Sequence, residues 1–188
     1  MKRRPLPSAL ETAKRQLTLL THRIHSLPVV VLMPGSPLFL NTISRVIVAE
    51  ARRHDLSVVV LPSVSPLEGV ISYLGLDVAS FGLQALTGDR IARGEVLVNP
   101  TVPLIVLELA GTGLNGSGDG QAARFRPLLR SLARSFPATH PATMVQVTGS
   151  AGRRSHATLP LRRFGEFLPH ITTSSQLFLD RRVPQKER

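Results

Sequence analysis

The chain has 188 residues, 43% hydrophobic and 19% charged, a balance that can bury a core and that excludes a disordered chain. That length suits one medium domain or two small lobes sharing a core, and 23 Lys+Arg against 12 Asp+Glu leave a formal charge of +11. Cysteine is absent, which excludes disulfides, thiolate metal sites and cysteine nucleophiles, and no apolar run approaches the ~20 residues a membrane-spanning helix needs.

The opening "MKRRPLP" is basic but no uninterrupted apolar stretch follows it, so it does not read as a signal peptide and a cytoplasmic location is expected. "SALETAKRQLTLLTHRIHS" places Leu10, Ala13, Leu17, Leu20 and Ile24 at three- and four-residue spacing. Ser8 with Glu11 resembles a capping box, so a helix is predicted from Ser8 to Ser26. "LPVVVLM" is a short β-branched run without alternation, predicting a strand buried on both faces of a parallel sheet. "MPGSPLFLN" stops that run abruptly, and Asn41 and Thr42 are candidate caps for the amphipathic helix "NTISRVIVAEARRHDL", with Ile43, Val46, Ile47 and Ala51 on one face. "SVVVLP" predicts a second buried strand and "PLEGVISYLGL" a short helix closing at Gly75. The first part thus reads α-β-α-β-α, with parallel strands joined by a crossover.

A boundary near "GEVLVNPT" is expected to separate an N-terminal α/β lobe, residues 1–98, from a C-terminal α/β lobe, residues 99–188. Beyond it, "VPLIVLELA" predicts a strand, and "GTGLNGSGDGQ", with five glycines in eleven residues, a loop. "FRPLLRSLARSF" and "LRRFGEFL" predict helices, "ATMVQVTG" and "SSQLFLD" strands, giving a mixed sheet.

Several chemistries are excluded by pattern. The six histidines show neither HxxxH nor HExxH spacing, so no metal site is predicted. No GxSxG elbow is present, "GTGLNG" is not followed directly by a helix, and no carboxylate pair sits among apolar neighbours. The basic residues fall in dispersed pairs (Arg52-Arg53, Arg153-Arg154, Arg162-Arg163, Arg181-Arg182), which suits a solvated basic surface. Nucleic-acid binding is the alternative, though one Tyr and no Trp leave little to stack bases. What remains are loops at the carboxyl ends of strands, where ligands sit in open α/β sheets: "MPGSPLF", "LPSVSPLEG" and "FGLQALTGD", the last running from Phe81 to Asp89. Glycine permits close approach of backbone or ligand and proline fixes it, so packing turn and ligand wall both stay open.

The order of these motifs resembles the tetrapyrrole methylase superfamily, the class III S-adenosylmethionine-dependent methyltransferases. Within it the chain is most similar to the borosin-type peptide-backbone N-methyltransferases. Gly35-Ser36-Pro37 stands for the family's G-D/H-P loop, Pro62-Ser63-Val64-Ser65 for its P-G-x-S, and Leu74-Gly75-Leu76-Asp77 for L-G-[IL]-[DP]. "LARSFPATHPATMVQV" resembles the family's helix, Y-P, x-H-P and strand, and "ITTSSQLFL" its closing strand, so the resemblance runs from about residue 10 to about residue 184. It implies a two-lobed α/β fold with a parallel-sheet N-terminal lobe and a mixed-sheet C-terminal lobe, and S-adenosylmethionine in the cleft between lobes. Main chain at Gly35, Ser36, Pro37, Leu38 and Phe39 would hold the amino-acid end, with Ser65, Leu83 and Gln84 from the next two loops. Leu109, Val147 and Thr148 would pack around the adenine.

The chain also departs from the family. Relative to it, the N-terminal lobe reads as truncated, lacking the first strand and its G-x-G/P loop. Met33 and Ser36 replace an aromatic residue and an acidic residue or histidine, and no residue is assigned as general base. Three hypotheses follow: a methyltransferase acting on a peptide or small molecule, a degenerate homologue serving as a binding, regulatory or dimerisation module, and a basic nucleic-acid-associated protein. A sheet lacking a strand recruits partners, so a homodimer is expected, or a separate chain supplying the missing portion.

Overall fold

Asn41 behaves as its sequence position requires. In the computed structural model, which describes Thr18 and residues 29–33, 35–113, 120–147 and 154–182, its side-chain oxygen accepts from Ser44 N at 3.0 Å and starts helix α1, Thr42–Arg53. Arg52 and Arg53 sit in the last turn, where positive charge opposes the exposed carbonyls, and His54 closes the helix. The predicted Ser8–Ser26 helix lies outside the described residues, apart from Thr18, which is helical.

The two β-branched runs that flank α1 find no strand partner among the described residues. Residues 29–33 and 56–65 form no ladder with any described residue. Val30 and Leu32 are 78% and 89% exposed, and Val59 and Leu61 81% and 74%. This corrects the expectation of two buried strands. Composition supplies β-propensity, but a strand forms only where a neighbour takes its N–H and C=O groups.

By Cα proximity the chain divides into two units, Met1–Ser65 and Pro66–Arg188. The sequence placed its boundary at residue 98/99, inside the second unit. There, β1 (Gln84–Thr87) and β2 (Leu104–Leu107) pair in parallel in the register Gln84↔Leu104 to Thr87↔Leu107. The short helix α4 (Gly88–Ala92) lies between them in the chain. The sequence read Phe81 to Asp89 as a loop; four residues with a glutamine give too little pattern to identify a strand whose partner lies 20 positions away.

The second unit begins with α2 (Pro66–Leu74), which ends at Gly75 as predicted, and the short α3 (Val78–Phe81) capped by Asp77. After β2 come α5 (Gln121–Ala133), β3 (Pro141–Val147), β4 (Arg154–Pro160) and β5 (Ser175–Leu179). The five strands form a mixed sheet in the order β1-β2-β5-β3-β4; only β1–β2 is parallel. Mixed α/β architecture was expected, and β2, β3 and β5 occupy the three apolar runs that predicted them. β4, in the polar stretch "RSHATLP", was not foreseen; it is an edge strand held by β3.

Alternation across this sheet sends Ala142, Met144, Leu177, Leu179, Leu104 and Val106 to one face, where Phe125, Leu128 and Leu132 of α5 cover them. A ten-residue 3₁₀ helix, Leu161–His170, completes the core. Its apolar residues Leu161, Phe164 and Phe167 recur every third position, matching the three residues per turn of that helix, so all three stack along one edge and are buried. Phe164 meets Phe125 at 5.4 Å and Phe167 edge-on at 5.8 Å between centroids. On the other face α2 crosses β3 at Gly69, where a Cβ would stand 2.8 Å from Val147 Cγ1. No described helix is long and apolar enough to cross a membrane.

Candidate functional site

In the first unit the loop between Gly35 and Leu40 is the candidate ligand wall. Gly35 has φ +71°, a left-handed conformation that a side chain makes costly, and its missing Cβ would lie 3.8 Å from Val64 O. Two of the loops singled out in the sequence therefore meet: Gly35 from the first faces Val64, next to Ser65, from the second. Ser36 O accepts from Phe39 N at 3.4 Å, folding Ser36, Pro37, Leu38 and Phe39 into a turn. Leu38 and Leu40 are exposed at 46% and 42%, while Ser65 is buried. One turn into α1, the Ser44 hydroxyl is buried and has no hydrogen-bond partner among the described residues. The loop thus offers main-chain groups, two hydroxyl-bearing neighbours and apolar side chains, with no charged group of its own.

The remaining sequence-predicted residues fall in the second unit, and three of them, Gln84, Leu109 and Val147, have structural work there. Gln84 is saturated: Nε2 donates to Asn99 O (2.7 Å) and Val102 O (3.0 Å), and Oε1 accepts from Asn99 N (2.9 Å). Leu109 is fully buried in the core, and Val147 packs where α2 passes at Gly69. Thr148 lies outside the described residues. Leu83 lines a groove of about 480 Å³, together with Leu76, Phe81, His156, Phe178 and Arg181 among others. Tyr73, the single tyrosine, hydrogen-bonds His156 Nδ1 through its hydroxyl at 2.9 Å.

A polar cluster at the end of β2 was missed by the sequence reading. Glu108 has φ +52° at the carboxyl end of the strand. Asp89 of α4 pairs with Arg93 at 2.7 Å and accepts from Gly113 N at 3.4 Å. Arg124 Nη2 donates to Ala110 O (2.9 Å) and Thr112 O (3.2 Å), while Arg124 Nε and the Thr112 hydroxyl are buried without partners among the described residues. The only signal in the sequence is a charged residue interrupting the apolar run of "LIVLELA".

Partial desolvation, and secondarily the Asp89 carboxylate, push the Glu108 carboxyl above its ordinary value of 4.5 although the side chain reaches solvent. A carboxyl with a raised folded-state pKa holds its proton more tightly in the folded chain than in the unfolded one. Its contribution to stability is complete below pH 4.5 and is lost as pH rises through the raised value. Glu108→Gln, which cannot ionise, is expected to melt higher relative to the parent at about pH 7 than at about pH 4. Melting curves at both pH values check this; a difference that stays constant with pH removes the assignment.

The fold is shared with solved methyltransferases. Uroporphyrin-III C-methyltransferase from Thermus thermophilus superposes with a TM-score of 0.63 at 18% identity, over 95% of this chain and 74% of that one. The form of that enzyme complexed with S-adenosylhomocysteine gives 0.60 at 20% identity, over 89% and 73%. The methyltransferase CobJ gives 0.61 at 11% identity, over 99% and 80%. No curated protein sequence matches the chain significantly. At such identities the superpositions establish the fold alone, but the sequence profile of the tetrapyrrole (corrin/porphyrin) methylases matches residues 1–161, most of the chain. With that match the order of loops read from the sequence and the mixed sheet have one explanation: this chain belongs to the tetrapyrrole methylase family.

Proposed function

We propose that the protein is an S-adenosylmethionine-dependent methyltransferase whose acceptor is a peptide or a small molecule. The observation that carries this reading is the left-handed turn at Gly35, which faces Val64 O. Family membership and a fold neighbour crystallised with S-adenosylhomocysteine support it. The residues fit such a ligand. Left-handed Gly35 leaves space that a side chain would fill, the buried Ser44 hydroxyl lacks a partner among the described residues, and no charge on the loop opposes a zwitterion. Main chain from Gly35 to Phe39, with Ser65, is assigned to the donor's amino-acid end. When bound, the donor supplies a methyl group on a sulfonium, already electrophilic. The chain's part is therefore chiefly to align donor and acceptor and to keep the loop dry, for which Leu38 and Leu40 provide apolar cover. Nothing on this loop titrates near neutrality, so it assigns no general base.

Titration calorimetry of the full chain with S-adenosylhomocysteine tests the reading. One-site binding is expected, with stabilisation of about 2.7 kcal/mol at a hundredfold excess over Kd. Neither heat nor a thermal shift at about millimolar ligand, the weak end of measurable affinity, overturns it.

The exposed Val30, Leu32, Val59 and Leu61 favour assembly, and a homodimer is the form proposed. Light scattering is expected to give twice the 20.4 kDa chain mass, and Leu32→Asp with Leu61→Asp to return it to the single-chain value. A parent protein that scatters as a monomer at about micromolar concentration, where stable homodimers persist, removes the proposal.

A further inference from the structure

We propose that the groove on the second unit, bounded by α3 and the sheet face opposite the core, is a second ligand site. Its ligand is a small molecule carrying one anionic group on an aromatic or apolar body. The proposal goes beyond the methyltransferase reading and does not rest on it.

The floor is a cross-strand row. Phe178 on β5 pairs with Thr143 on β3, which pairs with Thr158 on β4, and the two threonine hydroxyls lie 2.9 Å apart. These residues alternate with the core-facing ones and so point to the opposite face. His156, two positions from Thr158 on the same edge strand, points the same way. Tyr73 occupies its Nδ1, which leaves Nε2 without a partner among the described residues. The groove encloses about 480 Å³, within the ~300–1,000 Å³ of small-molecule sites.

Arg181 decides the ligand's charge. Its guanidinium lies 4.0 Å from the Phe81 ring centroid and forms no ion pair among the described residues. Stacking occupies one face of the guanidinium and leaves its edge N–H donors in the fork geometry that suits a carboxylate or sulfonate. The segment carrying it is anchored on both sides: the ring of His140 bonds Asp180 O at 2.9 Å, and Arg182 N donates to Pro100 O at 2.6 Å. Two acids also line the groove, and each is engaged by main chain. Asp77 caps α3 through Ser80 N at 3.0 Å, and Asp180 accepts from Arg181 N at 2.7 Å. Of the lining groups, the cation, the imidazole edge and the hydroxyls can donate to an anion while the two carboxylates oppose one, so the ligand's anionic group belongs at Arg181, beside Phe81, Leu83 and Phe178 as apolar wall.

Calorimetry with 2-naphthoate and its neutral analogue 2-naphthalenemethanol tests the site on the full chain. The carboxylate is expected to bind at least about tenfold more tightly than the alcohol, as a charge-assisted bond requires. Arg181→Gln is expected to erase that difference while leaving the weak binding of the alcohol, and His156→Ala to weaken the carboxylate alone. An unchanged circular dichroism spectrum confirms that the variants fold. Equal binding of the two probes, no binding of either, or an Arg181→Gln variant that still discriminates overturns the proposal. Displacement of naphthoate by saturating S-adenosylhomocysteine also overturns it, because the groove would then belong to the methyl donor. Failure of S-adenosylhomocysteine to bind anywhere counts against the methyltransferase reading and leaves naphthoate binding unaffected, so the two failures are distinguishable.

Discussion

Gly35→Val is expected to weaken S-adenosylhomocysteine binding by more than about tenfold, with Gly35→Ala intermediate. A side chain at φ +71° costs roughly 1–2 kcal/mol, and a β-branched one more, so the loop relaxes toward another conformation. An alanine Cβ would meet Val64 O at 3.8 Å, ordinary contact, so Gly35→Ala suffers the backbone cost alone. Valine adds β-branching, which the left-handed region disfavours further. Since about 1.4 kcal/mol is tenfold in affinity, the order parent, alanine, valine reads the loop conformation directly. Calorimetry on the three proteins measures it, with circular dichroism to verify that α1 and the sheet persist. Parent-like binding by Gly35→Val detaches this loop from the donor.

Phe164→Ala is expected to destabilise the protein by about 3–5 kcal/mol, which lowers the melting temperature by on the order of 10 °C. Phe164 is 1% exposed and carries contacts in two directions, to Phe125 of α5 and to Phe167 along its own helix. Its removal leaves a cavity between the 3₁₀ helix and α5 that rigid neighbours fill poorly. Phe164→Leu retains most of the volume and is expected to lose less than half as much. Far-UV circular dichroism during thermal unfolding separates the two. An alanine variant that melts within about 2 °C of the parent would mean that this helix does not close the core.

Much of the fold was legible because its signals are local. Asn41 caps α1 through an amide three residues away, and the run "LPLRRFGEFLPH" carries its three-residue repeat on its face. The apolar runs at Leu104–Leu107, Pro141–Val147 and Ser175–Leu179 needed only burial to become strands. "LPVVVLM" and "SVVVLP" carried the same composition, and neither found a strand partner among the described residues. Gln84 shows the converse: a polar residue in a short, weak segment became a strand residue because β2 lies parallel to it and its amide ties down Asn99 and Val102. The candidate site divided in the same way. Gly35 could be named from the strand-stopping P-G-S-P of its loop, whereas its approach to Val64 could not.

By itself the sequence determined α1 with its Asn41 cap, α2, α5 and the helix at Leu161–His170, three of the five strands, the mixed α/β class and the family to which the loops belong. Tertiary structure alone decided which β-branched runs pair, that Gln84 serves the fold, and that Glu108 gathers near Asp89. It also decided that Arg181 lies over Phe81 in the wall of a groove, without an ion pair among the described residues. The physical reason is range. Caps and periodicity are settled by neighbours within one or two turns of chain, whereas strand pairing, desolvation and the burial of charge depend on residues tens of positions away, brought close only when the core forms.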